Sequence, residues 1–184
     1  WWMNHREVGK LFEAPRHPKL LLRAEGHTKD GSASTEALSL VGDSTQRVVA
    51  IVINAIDSSL KGDTQQRHAW TVDSIESLPD LLERARDAGR TGLLAADHGH
   101  VPGDLLVSKS SPANAGARWR PWKNESDPVE EYEVALHGDG VYAPKGAHGV
   151  VLLADDQSRY GGAAHAGEHG GATLAEVVAP CLLV

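Results

Sequence analysis

Apolar positions in this chain gather into short runs separated by polar, glycine-rich stretches. Residues 48–53, Val-Val-Ala-Ile-Val-Ile, are β-branched and nearly uninterrupted, the pattern of a central strand. Residues 93–96, Leu-Leu-Ala-Ala, make a second run, expected as a strand buried on both faces of a parallel sheet. Between them the period changes. Leu78, Leu81, Leu82 and Ala85 fall on one helical face and Glu83, Arg84, Arg86 and Asp87 on the other. Ser77 stands at the cap position, Pro79 in the first turn, Asp80 three residues after the serine, and Gly89 where a helix ends. Strand, helix, strand predicts a right-handed βαβ unit.

Further along, residues 132–136 alternate as an edge strand does, and residues 150–154 form another buried run ending in Asp155 and Asp156, expected to cap a turn. The apolar tail at residues 177–184 is expected to close the sheet. Residues 1–47 are poorly defined. Val8, Leu11 and Phe12 share a face of a short helix that Pro15 and Pro18 would end, and residues 20–22 make a brief strand. The pattern predicts an α/β fold.

Open α/β sheets place their chemistry outside the carboxyl ends of the strands. The strand at 48–53 runs into Asn54-Ala55-Ile56-Asp57, and the strand at 93–96 into Asp97-His98-Gly99. The βαβ unit would bring these ends to one edge. Asp and His together suit zinc, manganese or iron better than calcium or magnesium. Each short motif also has a plainer reading, Asp57 as a helix cap and Asp97-His98-Gly99 as a solvated turn. A third candidate is the glycine-rich stretch 160–172, which presents His165 and His169 ahead of a helix start at Thr173 with Glu176 at the capping-box distance. Either histidine could be the ligand. The segment 108–127 interleaves Trp119 and Trp122 with Arg118, Arg120 and Lys123; it reads as a loop pinned by its tryptophans, or as a surface that stacks on nucleic-acid bases.

Composition narrows the classes. A net charge of -7 argues against a wholly basic nucleic-acid binder, and no apolar run approaches the roughly 18 residues of a membrane helix. The single cysteine, Cys181, is expected as a buried small hydrophobe in a reducing, cytoplasmic setting. Two tryptophans precede Met3, and the reading expects a piece of a longer protein.

Taken together, Asn-Ala-Ile-Asp57, Ala-Asp97-His98-Gly99, and His169-Gly170-Gly171 followed by Leu-Ala-Glu-Val-Val-Ala-Pro180 resemble the PglZ domain, a branch of the alkaline phosphatase superfamily associated with BREX bacteriophage defence. The resemblance covers about residues 48–184. It implies a three-layer sandwich with a mostly parallel central sheet and a two-metal site, usually zinc, with manganese as another divalent option. By match to the motif, Asp57 and His169 would hold one metal and Asp97 and His98 the other. Two departures accompany it. The superfamily's Ser or Thr nucleophile and early Asp ligand have no convincing counterpart in residues 1–47, and Lys61 stands where many members carry a histidine.

The expectation is therefore the carboxyl-terminal portion of a metal-dependent phosphate-ester hydrolase domain, inactive or nearly so by itself, whose partners are other defence proteins. The alternatives are a non-catalytic interaction module of the defence complex and a metal-dependent nuclease or phosphodiesterase on the same scaffold.

Overall fold

The structure is a computed structural model that describes residues 19–22, 26, 28, 31–61, 70–110, 112–162 and 164–184. The short helix expected around Val8, Leu11 and Phe12 and most of the polar loop after Lys61 lie outside the described residues. Two compact units divide the chain, one holding residues 1–59, 66–93 and 183–184, the other residues 60–65 and 94–182.

In the first unit, β1 (Lys19–Leu22) pairs in parallel with β2 (Val49–Val52), Leu21 lying opposite Ile51. Helix α1 (Thr35–Gly42) starts at Ser34, whose hydroxyl oxygen accepts the Ala37 N–H at 3.0 Å. Helix α2 (Ala55–Leu60) follows β2 directly, and α3 (Leu78–Asp87) carries the predicted amphipathic face. Leu21, Ala33, Ala37, Val41 and Leu81 form the core. Helix α3 ends as the sequence predicts. Gly89 takes φ +64°, its N–H reaches Arg86 O at 3.0 Å, and the Arg90 N–H reaches Ala85 O at 2.9 Å. The Arg90 guanidinium donates to the carbonyl of Val41 in the last turn of α1 (2.5 Å) and to those of Asp43 (2.6 Å) and Gln46 (2.7 Å) just beyond it.

The start of α3 corrects an expectation. The Ser77 hydroxyl donates to Glu76 O, and the Asp80 carboxylate accepts the Ala33 N–H at 3.1 Å, so the predicted capping pair is not made. Ser77 sits at φ 60°, in the left-handed region rather than the extended backbone usual for a capping residue.

In the second unit, β6 (Trp119–Trp122), β8 (Gly149–Leu153) and β7 (Glu133–His137) form an antiparallel sheet with β8 in the middle. Val151 and Leu153 of β8 are fully buried, with Val101, Trp122 and Tyr160 also in the core. Pro121 is tolerated because β6 is an edge strand. Two short ladders accompany the sheet. Strand β4 (Val101–Pro102) is antiparallel to β10 (Gly167–Glu168), and β5 (Val107–Ser108) is parallel to β9 (Ser158–Arg159). Helix α4 (Leu174–Val177) leads towards β11 (Cys181–Leu183), which pairs with β3 (Leu93–Ala95).

The α/β character holds, but the described strands form five small sheets, and β2 and β3 belong to different ones. The predicted single βαβ ladder is therefore not present among the described residues. Strand β3 is also not buried on both faces: Leu93 is exposed, as are Leu182 and Leu183 of β11. An apolar run has the same sequence whether or not another layer covers it, so periodicity cannot report coverage. Cys181 is likewise exposed rather than buried. Asp155 does cap a turn, its carboxylate accepting the N–H groups of Gln157 (3.1 Å) and Ser158 (2.8 Å).

Candidate metal centre

Strand β3 leads into Asp97 and His98, and β4 begins at Val101, so His98 and His100 flank Gly99 in the five-residue connection 96–100. On the other side, β10 ends at Glu168 and His169 follows. The β4–β10 register sets Glu168 opposite Val101. Continued by one residue, it sets His169 opposite His100.

The three imidazoles form a tight group within the second unit. His98 stacks on His169 with ring centroids 4.1 Å apart, and His100 meets His98 at 5.0 Å and His169 at 5.1 Å, edge to face. All three are half-buried. Nitrogens of His98 and His100 lie within 4.8 Å of one another, close enough to reach one ion. Nδ1 of His98 lies 3.1 Å from its neighbour's carbonyl, Gly99 O. A proton on Nδ1 would satisfy that carbonyl and leave Nε2 with a lone pair, the usual way a ligating imidazole is oriented. Two imidazole nitrogens within reach of one point fit a borderline transition ion.

Asp97 differs from its neighbour. Its side chain is 92% exposed, with Oδ1 3.5 Å from His98 Nε2. Asp57 lies in the first unit, in the first turn of α2, with no buried residue in that helix. Between the two glycine-loop histidines the geometry discriminates: His169 joins the ring cluster, while His165 precedes β10 and its backbone N–H donates to Glu168 Oε1 at 3.2 Å. His100 was not anticipated from the sequence. The signal for it was its spacing, two residues after His98 and next to a strand.

Behind the histidines lies a buried ion pair. Arg118 is fully buried, and its Nε and Nη2 meet Glu176 Oε1 and Oε2 at 3.1 and 2.9 Å. Arg118 also donates to the carbonyls of Ser158 and Asp155. The Glu176 carboxylate accepts the Gly171 N–H (2.8 Å) and the Thr173 hydroxyl (2.7 Å), completing the expected capping box. Burial alone would raise the Glu176 pKa, but Arg118, Thr173 and the Gly171 N–H together hold it below the ordinary glutamate value.

A second buried network surrounds Arg120, whose Nε and Nη2 meet Glu133 at 3.0 and 2.8 Å while the Tyr160 hydroxyl donates to the same carboxylate. Burial, with Glu133 alongside, pushes the Tyr160 phenol upward. The tryptophan-rich segment is therefore not a loop offering cations to a ligand. It forms strand β6, in which Arg120 and Trp122 face inward, and the guanidinium charges are neutralised internally.

The sequence model of the BREX system PglZ alkaline phosphatase-like domain matches residues 28–184. The chain belongs to the PglZ family. Neither curated proteins nor solved structures gave a match. The PglZ match spans β2, β3, the β4–β10 ladder and α4, so the elements that carry the histidine cluster are all inside the family's domain. Among the described residues of this PglZ domain, no helix is long and apolar enough to cross a membrane.

Proposed function

We propose that this chain is the metal-binding part of a phosphate-ester hydrolase domain acting in BREX phage defence, alongside other components of that system in the cytoplasm. The observation that carries the reading is the three-imidazole cluster of His98, His100 and His169 in a PglZ-family chain. His98 and His100, whose nitrogens lie within reach of one point, would hold a divalent ion, zinc in preference to manganese, with His169 proposed as a further ligand from the motif resemblance. Asp57 and Asp97 are proposed as further ligands on the strength of the motif resemblance alone, and a mostly parallel three-layer sandwich is proposed for the domain on the same footing.

When bound, such an ion supplies Lewis-acid stabilisation of charge on a phosphoryl group. This chain's own contribution is to present ring nitrogens of His98 and His100 within reach of one point, with His98 Nδ1 3.1 Å from Gly99 O. The rings are half-buried, so part of the group is accessible to solvent. No Ser or Thr is assigned as nucleophile, and the chain alone is proposed to bind metal without turnover.

An interaction module without metal is the second reading, favoured by Lys61 at a position where many superfamily members carry a histidine. The nuclease reading is weakened, because Arg120 and Trp122 of the Trp119-Arg120-Trp122-Lys123 stretch are buried.

The test is metal content after extensive dialysis, comparing the wild-type chain with His98→Ala, His169→Ala and Asp97→Ala. Near-stoichiometric zinc in the wild type, lost in both histidine variants, is expected. A folded wild-type chain with no zinc or manganese would overturn the hydrolase reading and leave the interaction module. The Asp97→Ala result decides whether that exposed carboxylate belongs to the centre.

A further inference from the structure

We propose that Glu176 is a positioning residue for the histidine cluster, tying together the two loops that carry it, with Arg118 as the counter-charge that fixes the carboxylate. This inference rests on the metal reading above. Glu176 is bonded to each loop through a different atom. Its backbone carbonyl accepts the N–H of Gly99, the residue between His98 and His100, at 2.8 Å. Its carboxylate accepts the N–H of Gly171, two residues after His169, at 2.8 Å. One buried residue thereby holds both sides of the 4.1 Å stack between His98 and His169.

The close approach requires glycine on both loops. A Cβ at Gly99 would lie 2.0 Å from Ala175 O, and one at Gly171 would lie 2.6 Å from both Leu153 O and Glu176 Oε2. Gly170 adds a left-handed turn at φ +100°. A capping box alone explains Glu at this position of α4 but needs only the bonds at Thr173. It does not explain a forked ion pair with an arginine 58 residues away in sequence, fully buried, that also grips the carbonyls of Ser158 and Asp155. The pair makes the α4 platform rigid, and the Gly171 bond transmits that rigidity to His169. Partners standing behind metal ligands commonly change metal affinity by about 10–100-fold.

The experiment measures zinc affinity of the full chain by competition with a chromophoric chelator, in the wild type, Arg118→Met/Glu176→Leu and Thr173→Val. The double variant removes both charges together, so no unpaired ion is left buried, and it also removes the Gly171 acceptor. It is expected to fold and to bind zinc at least about tenfold more weakly. The ring proton resonances of His98 and His169 in the metal-free protein are expected to shift as the stack loosens. Thr173→Val removes the hydroxyl bond of the helix cap but neither loop tether, and is expected to keep wild-type affinity. A folded double variant with wild-type zinc affinity and unshifted histidine resonances overturns the proposal. So does an equal loss in Thr173→Val, which would mark a general loosening of α4. If the double variant does not fold, Glu176→Gln replaces it. Its amide nitrogen must replace one carboxylate oxygen and so sets a donor against either Arg118 Nη2 or the Gly171 N–H, so the same weakening is expected and wild-type affinity overturns the role. A wild-type chain that binds no zinc overturns the metal reading itself and this inference with it.

Discussion

A methyl group at Gly99 would sit 2.0 Å from the Ala175 carbonyl oxygen, so Gly99→Ala must push the His98–His100 connection away from α4. Overpacking of this kind costs about 1–3 kcal/mol, and the loss is expected in chemical denaturation of the variant. Gly89→Ala should be milder and act through the backbone alone, because a Cβ there meets nothing within 4 Å although φ is +64°. At this scale the sequence was partly legible. Asp97, His98 and His169 were found as chemistry-bearing residues at element ends, and the structure gathers the two histidines. His100 was not singled out, and Arg118 was read only as one of the cations interleaved with the tryptophans. An arginine destined for complete burial has no local mark, since its partner, Glu176, lies 58 residues on.

Among the elements, β6 is the instructive misreading. Arginine and tryptophan interleaved in a polar stretch suggest a loop pinned by its tryptophans or, alternatively, a ligand-facing surface, yet the alternation of Arg120 and Trp122 has the period of a strand with one buried face. The deciding partners, Glu133 and Glu176, come from β7 and α4 and could not be seen from β6. These pairs make an acid-sensitivity prediction. For Glu133, Asp155 and Glu176 burial pulls the pKa upward, but hydrogen bonds and the neighbouring arginines outweigh it and hold each below its ordinary value. Between the ordinary value and the lower folded one, the unfolded chain binds more protons, so stability rises with pH. The contribution is complete above the ordinary glutamate value of 4.5 and is lost as pH falls through the folded values. Melting temperature followed from pH 7 downward is expected to hold steady to about that point and then drop. A flat profile down to pH 3 would show that the three carboxylates contribute no such stabilisation.

For the molecule as a whole, metal and stability should be linked. An ion that binds only the folded chain adds about 2.7 kcal/mol at a concentration a hundred times its dissociation constant. Thermal unfolding with zinc is therefore expected at higher temperature than without, EDTA should restore the lower value, and His169→Ala should abolish the difference. The strands at β2, β7 and β8 and the helix α3 were readable from period and punctuation. The pairing of strands was not, because the six short ladders of the described residues depend on contacts between distant segments rather than on any local run.

Cys181 has a practical consequence. It is the chain's single cysteine, it is exposed on β11, and it follows Pro180, whose carbonyl takes the Ala96 N–H at 3.2 Å. A thiol-directed fluorophore or spin label therefore has one destination, beside the backbone that leads into Asp97 and His98. The native protein carries its own attachment point for a spectroscopic reporter of events at the histidines.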